Sequence, residues 1–415
     1  MEYVDPAIRP AMQVKANSRL LYTYDVEWKA SEVRWASRWD IYLSMNNQIP
    51  NRVHWFSIVN SLVIVLILTT MIAMILIRNL CRDIRRYNAV NREEEEDTGW
   101  KLVHTDVFRP PAEYRMLFCV CVGTGAQLLV CCLLTVLFAS VGFLSPAARG
   151  SLLVALLLLY ALTGSFSGYT SACLFKTFKG KTWQRCTTLT AFLFPGVSFV
   201  IFLVMDFMMS SYHSTGAVPF TSLVSLVSLW IFVSVPLVFL GAFVGYRREP
   251  LEFPVRFSVT PRPIPEQPWY LGTYFLLLMG GLLPFGACFV EVYFIMSSLW
   301  LGQYYYVFGF LFMVLIILLV TCAETSIVFC YFQLCNEDYR WWWRSFLVPG
   351  STGLYVFLYS CVYFARLEAN LTVTYFLYFG YMALVSGGIA LVTGTAGFAA
   401  CLWFTRKIYS SIKVE

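Results

Sequence analysis

Charge is what this chain has least of. Only 13% of its 415 residues are Asp, Glu, Lys or Arg, against about a quarter in a typical soluble domain. That scarcity excludes an ordinary soluble domain, and no nucleic-acid partner is expected. Histidine is almost missing, with three residues. Thirteen cysteines are present, yet none falls before Cys81. No CxxC and no paired Cys/His spacing occurs, so neither a zinc site nor a disulfide framework is signalled, and no metal or cofactor is expected. The cysteines lie in apolar runs or at their ends and read as small buried hydrophobes. The opening "MEYVDPAIRPAMQ" lacks the basic start and apolar core of a signal peptide.

What the chain does have is apolar length. Hydrophobic residues make up 59% and mean hydropathy is +0.66. Nine runs approach or exceed the roughly 20 residues that cross a bilayer core. They fall near 55–77, 117–143, 151–172, 187–209, 218–245, 271–297, 304–332, 346–364 and 374–404. Helices are the expected form, because backbone groups in lipid must bond within their own segment. Lys and Arg then orient the spans. With the N-terminus lumenal, the cytosolic segments hold 21 basic residues and the lumenal loops hold two, Arg149 and Arg366. This is a strong positive-inside bias, and it fits an odd number of spans.

The N-terminal piece, 1–53, reads as a short β-containing remnant of a lumenal domain. In "LLYTYDVEW", Tyr22, Tyr24, Val26 and Trp28 alternate with Thr23, Asp25 and Glu27, the pattern of a half-buried strand. Residues 54–404 form the nine-span domain, with a cytosolic loop at 78–116, and 405–415 form a cytosolic tail. The fold class is thus an all-α polytopic membrane protein with that small β remnant. In the 78–116 loop, "NREEEED" reads as a solvated linker. "GWKLVHTDVFRPP" follows, carrying His104 and Asp106 on either side of Thr105. Its Arg109-Pro110-Pro111 reads as a rigid approach to the second span. Trp100, Phe108 and the aromatics of "YRWWWRSFL" are suited to the headgroup layer.

"GWKLVHTDVFRPP" closely resembles the hallmark of the nonaspanins, the nine-span transmembrane superfamily. The likeness continues through "WFSIVNSLVIVLIL", "VGFLSPAARG", "IPEQPWY", "GGLLPFGACFVEVYFI", "YYYVFGFLF", "NEDYRWWWRSFL", "YFGYMAL" and "RKIYSSIKVE". The resemblance implies a Golgi and endosome resident that sorts other membrane proteins, especially those with glycine-rich spans, with links to adhesion and phagocytosis. It also implies a C-terminal Lys-x-Asp/Glu signal for the COPI coat, here Lys413 and Glu415. Family members carry a signal peptide and a large lumenal domain before the first span, of which "YTYDVEW…WASRWDIYL" resembles the last part.

Several residue groups stand as candidate sites. The family motif places Gly99, Trp100, His104, Asp106, Phe108, Arg109, Pro110 and Pro111 in the first loop. A hydrolase or metal centre there lacks a nucleophile or further ligands, so this stretch reads as a surface packed on helix ends or a docking face. Glu291, Glu324 and Asp206 lie in or near spans, where ionisable groups are costly and often functional. Glu291 and Glu324 tie helices together, or they relay protons or bind an ion or a client; Asp206, near the interface, reads as solvated. Gly164, Gly168, Gly241, Gly245, Gly387, Gly388, Gly394 and Gly397 allow close helix approach, within the bundle or toward client spans. Pro195, Pro236 and Pro284 are expected to kink their spans. "NLT" at Asn370 is a glycosylation sequon too close to the membrane to be well used. No catalytic residues are expected. The leading function is a non-enzymatic sorting factor whose partners are the bilayer, the coat and client spans; the alternative is a proton- or ion-coupled transporter or channel using Glu291 and Glu324.

Overall fold

The computed structural model describes residues 24–30, 51–87, 99–141, 151–214, 216–255, 258, 260–300, 308–367 and 371–411. The chain divides into two compact units, Met1–Asn46 and Asn47–Glu415. In the first, residues 24–30 adopt no regular structure, and Tyr24, Val26 and Trp28 are exposed. The predicted strand is therefore not found there, and the described residues contain no strand at all. Alternation supplies a face, but only a neighbouring strand supplies the hydrogen bonds.

The second unit is helical. Its helices are α1 (Asn51–Tyr87), α2 (Arg115–Val141), α3 (Ser151–Leu162), α4 (Gly164–Thr177), α5 (Trp183–Ser211), α6 (Phe220–Leu229), α7 (Val235–Arg247), α8 (Thr273–Ala287), α9 (Phe289–Trp300), α10 (Phe308–Cys335), α11 (Trp341–Phe364) and α12 (Thr372–Tyr409). Among the described residues nine stretches are long and apolar enough to span a membrane: α1, α2, α3–α4, α5, α6–α7, α8–α9, α10, α11 and α12. All nine predicted runs are thus found, most of them extended by a turn or so.

Three spans are interrupted, each for a local reason. Thr163 separates α3 from α4, its hydroxyl donating to the Leu159 carbonyl at 2.7 Å. A π-helical turn, Trp230–Ser234, joins α6 to α7 just before Pro236. Proline has no N–H to give to the helical ladder, and the wider turn absorbs the fault. Four residues past Pro284 the third break falls at Cys288, and α9 starts afresh with Glu291 in its first turn. By contrast α5 runs unbroken through Pro195, and α11 through Pro349.

Glycine sets the closest packing. α4 lies on α7, and the two GxxxG patterns meet face to face. A side chain at Gly168 would overlap the Val238 carbonyl, one at Gly241 the Ser165 carbonyl, and one at Gly245 would stand 2.7 Å from the Tyr169 oxygen. α11 lies on α12 in the same manner, with Gly394 against the Phe346 carbonyl and Gly397 against Pro349. Gly164, Gly168, Gly241, Gly245, Gly394 and Gly397 each face a neighbouring helix closely enough to leave little or no room for a side chain.

The largest buried cluster lies at one end of the bundle, not at its middle. It joins Trp100, Val103, Val107 and Phe108 to Phe118, Phe178, Trp341, Trp342, Phe398, Phe404 and Tyr409. Trp100 and Phe108 are 1% exposed and Trp341 is fully buried, which corrects their expected place in the headgroup layer. Their rings are used to close the fold, and lipid does not reach them.

Candidate functional site

The end layer is built by the stretch 99–111. Gly99 adopts φ 70°, a left-handed conformation that glycine accepts without strain, and a 3₁₀ turn follows it. Successive turns then bury Val103, Asp106, Val107 and Phe108 on one side. Three consecutive tryptophans of α11 bond to backbone carbonyls of this stretch and of Glu113 just beyond it. Trp341 Nε1 donates to the Val107 carbonyl at 2.8 Å, Trp342 to Arg109 at 2.8 Å and Trp343 to Glu113 at 3.3 Å. From α12, the Tyr409 hydroxyl donates to the Trp100 carbonyl at 2.7 Å. Trp100 Nε1 in turn donates to Asp83 of α1 at 3.1 Å, as does the Tyr331 hydroxyl of α10 at 3.0 Å.

Asp106 is the electrostatic centre of the layer. One carboxylate oxygen accepts Arg109 Nε at 2.9 Å and Nη2 at 2.5 Å; the other accepts the Arg262 amide at 3.3 Å. Arg109 also donates to the Ser258 carbonyl at 2.7 Å, and the Ser258 amide donates to the Thr105 carbonyl at 2.9 Å. The ion pair thus fastens Ser258 and Arg262 to the motif. A charge this deeply buried is sustained only by such pairing. His104 donates Nδ1–H to the Lys101 carbonyl at 2.7 Å, the tautomer following from the acceptor. The pair His104/Asp106 is therefore spent on local bonds. Among the described residues no group of three or more His, Cys, Asp or Glu could hold a metal.

The acids expected within spans occupy one seam. Glu291, 1% exposed, accepts a hydrogen bond from Ser61 of α1. Glu324 of α10 accepts from Thr69 of α1 at 2.5 Å. Ser61 and Thr69 lie two turns apart on one face of α1, with Val65 buried between them. The structure thus brings Glu291 and Glu324 to the same helix. Asp206 is elsewhere and does a different job: its carboxylate accepts the Val218 amide at 2.7 Å and ties down the loop after α5.

The remaining predicted glycines are open. A side chain at Gly387 or Gly388 meets nothing within 4 Å, and Gly387 faces outward on α12. Nearer the start of α12, an apolar cavity of about 440 Å³ lies against α5, lined by Val204, Met205, Met208, Tyr375, Phe379 and Gly380 among others. Lys413, Glu415, Asn370 and the acidic run 93–96 lie outside the described residues.

Sequence reading missed three polar groups that the fold uses. Asp338 is fully buried and pairs with Arg344 at 2.9 Å and Arg340 at 3.3 Å. Gln127 of α2 donates to the Tyr160 carbonyl at 2.8 Å, beside the break between α3 and α4. Asp83 receives the two bonds given above. The available signal was a polar residue inside or bordering an apolar run.

The Endomembrane protein 70 family matches residues 4–373. The chain is 54% identical over 406 residues to Transmembrane 9 superfamily member 9 of Arabidopsis thaliana, covering 97% of this chain and 62% of that protein. It is 49% identical over 400 residues to putative phagocytic receptor 1a of Dictyostelium discoideum, with 95% and 62% covered. It is 46% identical over 401 residues to Transmembrane 9 superfamily member 4 of Homo sapiens, with 96% and 62% covered. The chain therefore spans 62% of the length of these relatives. No solved structure matches it. With nine membrane-spanning stretches among its described residues, an end layer sealed by "GWKLVHTDVFRPP" and these relatives, the chain is an integral membrane protein that belongs to the Endomembrane protein 70 family, the nonaspanins.

Proposed function

We propose that the protein is a non-enzymatic sorting factor of the Golgi and endosomes that helps deliver other membrane proteins with glycine-rich spans. The observation that supports this most directly is the contrast among its own glycines. Six are filled by neighbouring helices, while Gly387 and Gly388 present bare backbone at the bundle surface. Bare backbone lets a second helix approach closely in lipid. The name of the Dictyostelium relative, a putative phagocytic receptor, fits a role in handling surface proteins.

In this reading residues 1–53 are lumenal, 54–404 form the membrane domain, and both the 78–116 loop and the 405–415 tail are cytosolic. Lys413 and Glu415 then offer separated charges to the COPI coat. Replacing both by alanine should release the protein from the Golgi; unchanged residence sinks the tail assignment. The main test is surface delivery of a glycine-rich client in cells lacking this protein. Rescue by the normal chain but not by Gly387→Leu/Gly388→Leu is expected. Full rescue by that variant removes the face from consideration.

A second reading is proton or ion coupling through Glu291 and Glu324, favoured by a buried acid in the first turn after a helix break. Purified protein in liposomes that moves neither ions nor protons would exclude it.

A further inference from the structure

We propose that the corner formed by the α4–α5 turn and the end of α7 is a binding site for a phospholipid with an anionic headgroup. The two segments, 176–185 and 246–252, carry Lys176, Lys179, Lys181, Arg185, Arg247 and Arg248 against two acids, Glu249 and Glu252. The structure joins them. Lys176 Nζ donates to the Tyr246 carbonyl at 2.7 Å and the Arg248 carbonyl at 2.6 Å. The Leu251 amide donates to the Thr177 hydroxyl at 3.2 Å. Trp183 packs edge-on against Tyr246 with ring centroids 5.7 Å apart.

Depth identifies the occupant. The membrane-spanning helices end here, at Thr177, Trp183 and Arg247, so this corner lies at headgroup level. Phe243 and Val244, 57% and 51% exposed, face the acyl chains just before the turn. The Arg247 guanidinium lies 4.8 Å from the centre of the Phe243 ring, on the boundary between that apolar surface and the charged corner. Arg248 is held by the Tyr169 hydroxyl beneath it. Lys181 and Arg185 are exposed on either side of Trp183. A lipid headgroup meets these cations while its tails stay on Phe243 and Val244. A soluble polyanion gains nothing from that second contact. Glu249 and Glu252, both exposed, limit the net charge and supply a handle for the test.

The full chain would be reconstituted in phosphatidylcholine nanodiscs with a minor share of phosphatidylserine, and retained lipid counted by native mass spectrometry. The normal chain should retain phosphatidylserine preferentially. Arg247→Ala should weaken that retention about fivefold, and Lys181→Ala/Arg185→Ala/Arg247→Ala about a hundredfold. Arg247→Lys should stay within about twofold, and Glu249→Lys should strengthen retention about fivefold. All positions are exposed, so folding is unaffected; Glu249→Lys adds charge without removing a contact. Undiminished retention by the triple variant overturns the proposal. So does displacement of the lipid by glycerophosphoserine or an acidic peptide at equal concentration, because the site would then read the charge alone.

Discussion

Gly168 and Gly387 both lie inside long apolar helices, and nothing in their immediate sequence says which one touches a neighbour. At Gly168 the facing backbone of α7 occupies the space a side chain would take. At Gly387 that space is open. The first glycine is a requirement of the bundle; the second is only permitted by it. The same division runs through the polar groups. Those of the end layer are engaged within the fold, so their chemistry is already used up. What is left over for partners lies on outward faces.

Predictions can break that division from either side. The largest effect belongs to Gly168→Leu or Gly241→Leu. Each forces α4 and α7 apart by more than ordinary overpacking, which costs about 1–3 kcal/mol, so no folded monomer should elute by size exclusion in detergent. Next comes Asp106→Ala, which takes the carboxylate from Arg109 and the acceptor from the Arg262 amide; about 3 kcal/mol should be lost, read from the thermal midpoint. Trp342→Phe removes one indole donor and leaves the Arg109 carbonyl without it, a loss of about 1–2 kcal/mol in the same assay. The smallest effect is at Gly387→Ala, where no contact is lost and helix propensity improves; a gain of about 0.5–1 kcal/mol is expected. A clear destabilisation at Gly387 would mean that the open face is occupied within the bundle after all.

Much of this arrangement was legible from residues alone. Span number and placement follow from apolar length, because lipid enforces one solution on each run. Pro284 marked its span for a kink and a break follows at Cys288, whereas Pro195, marked in the same way, interrupts nothing. The pairing of GxxxG on α4 with GxxxG on α7 was not legible, since a small-residue motif states closeness without naming its partner. The tryptophans misled for a related reason. An aromatic and arginine mixture fits the headgroup layer by composition, but Trp341 and Trp342 have indole N–H groups that backbone carbonyls of the 99–111 stretch accept. Similarly, Glu291 was recognisable as a misplaced acid, whereas its donor Ser61 was one hydroxyl among many, 230 residues earlier.

That separation bears on how the chain is made. α1 is made before α9 and α10, so Ser61 and Thr69 have emerged from the ribosome before Glu291 and Glu324. Each acid enters lipid with its hydroxyl donor waiting. The end layer has the opposite schedule. Its motif appears early, yet Tyr409 bonds to Trp100 across 309 residues. The seal therefore closes only once α12 has been made, and a nascent chain halted before α12 holds an unclosed layer.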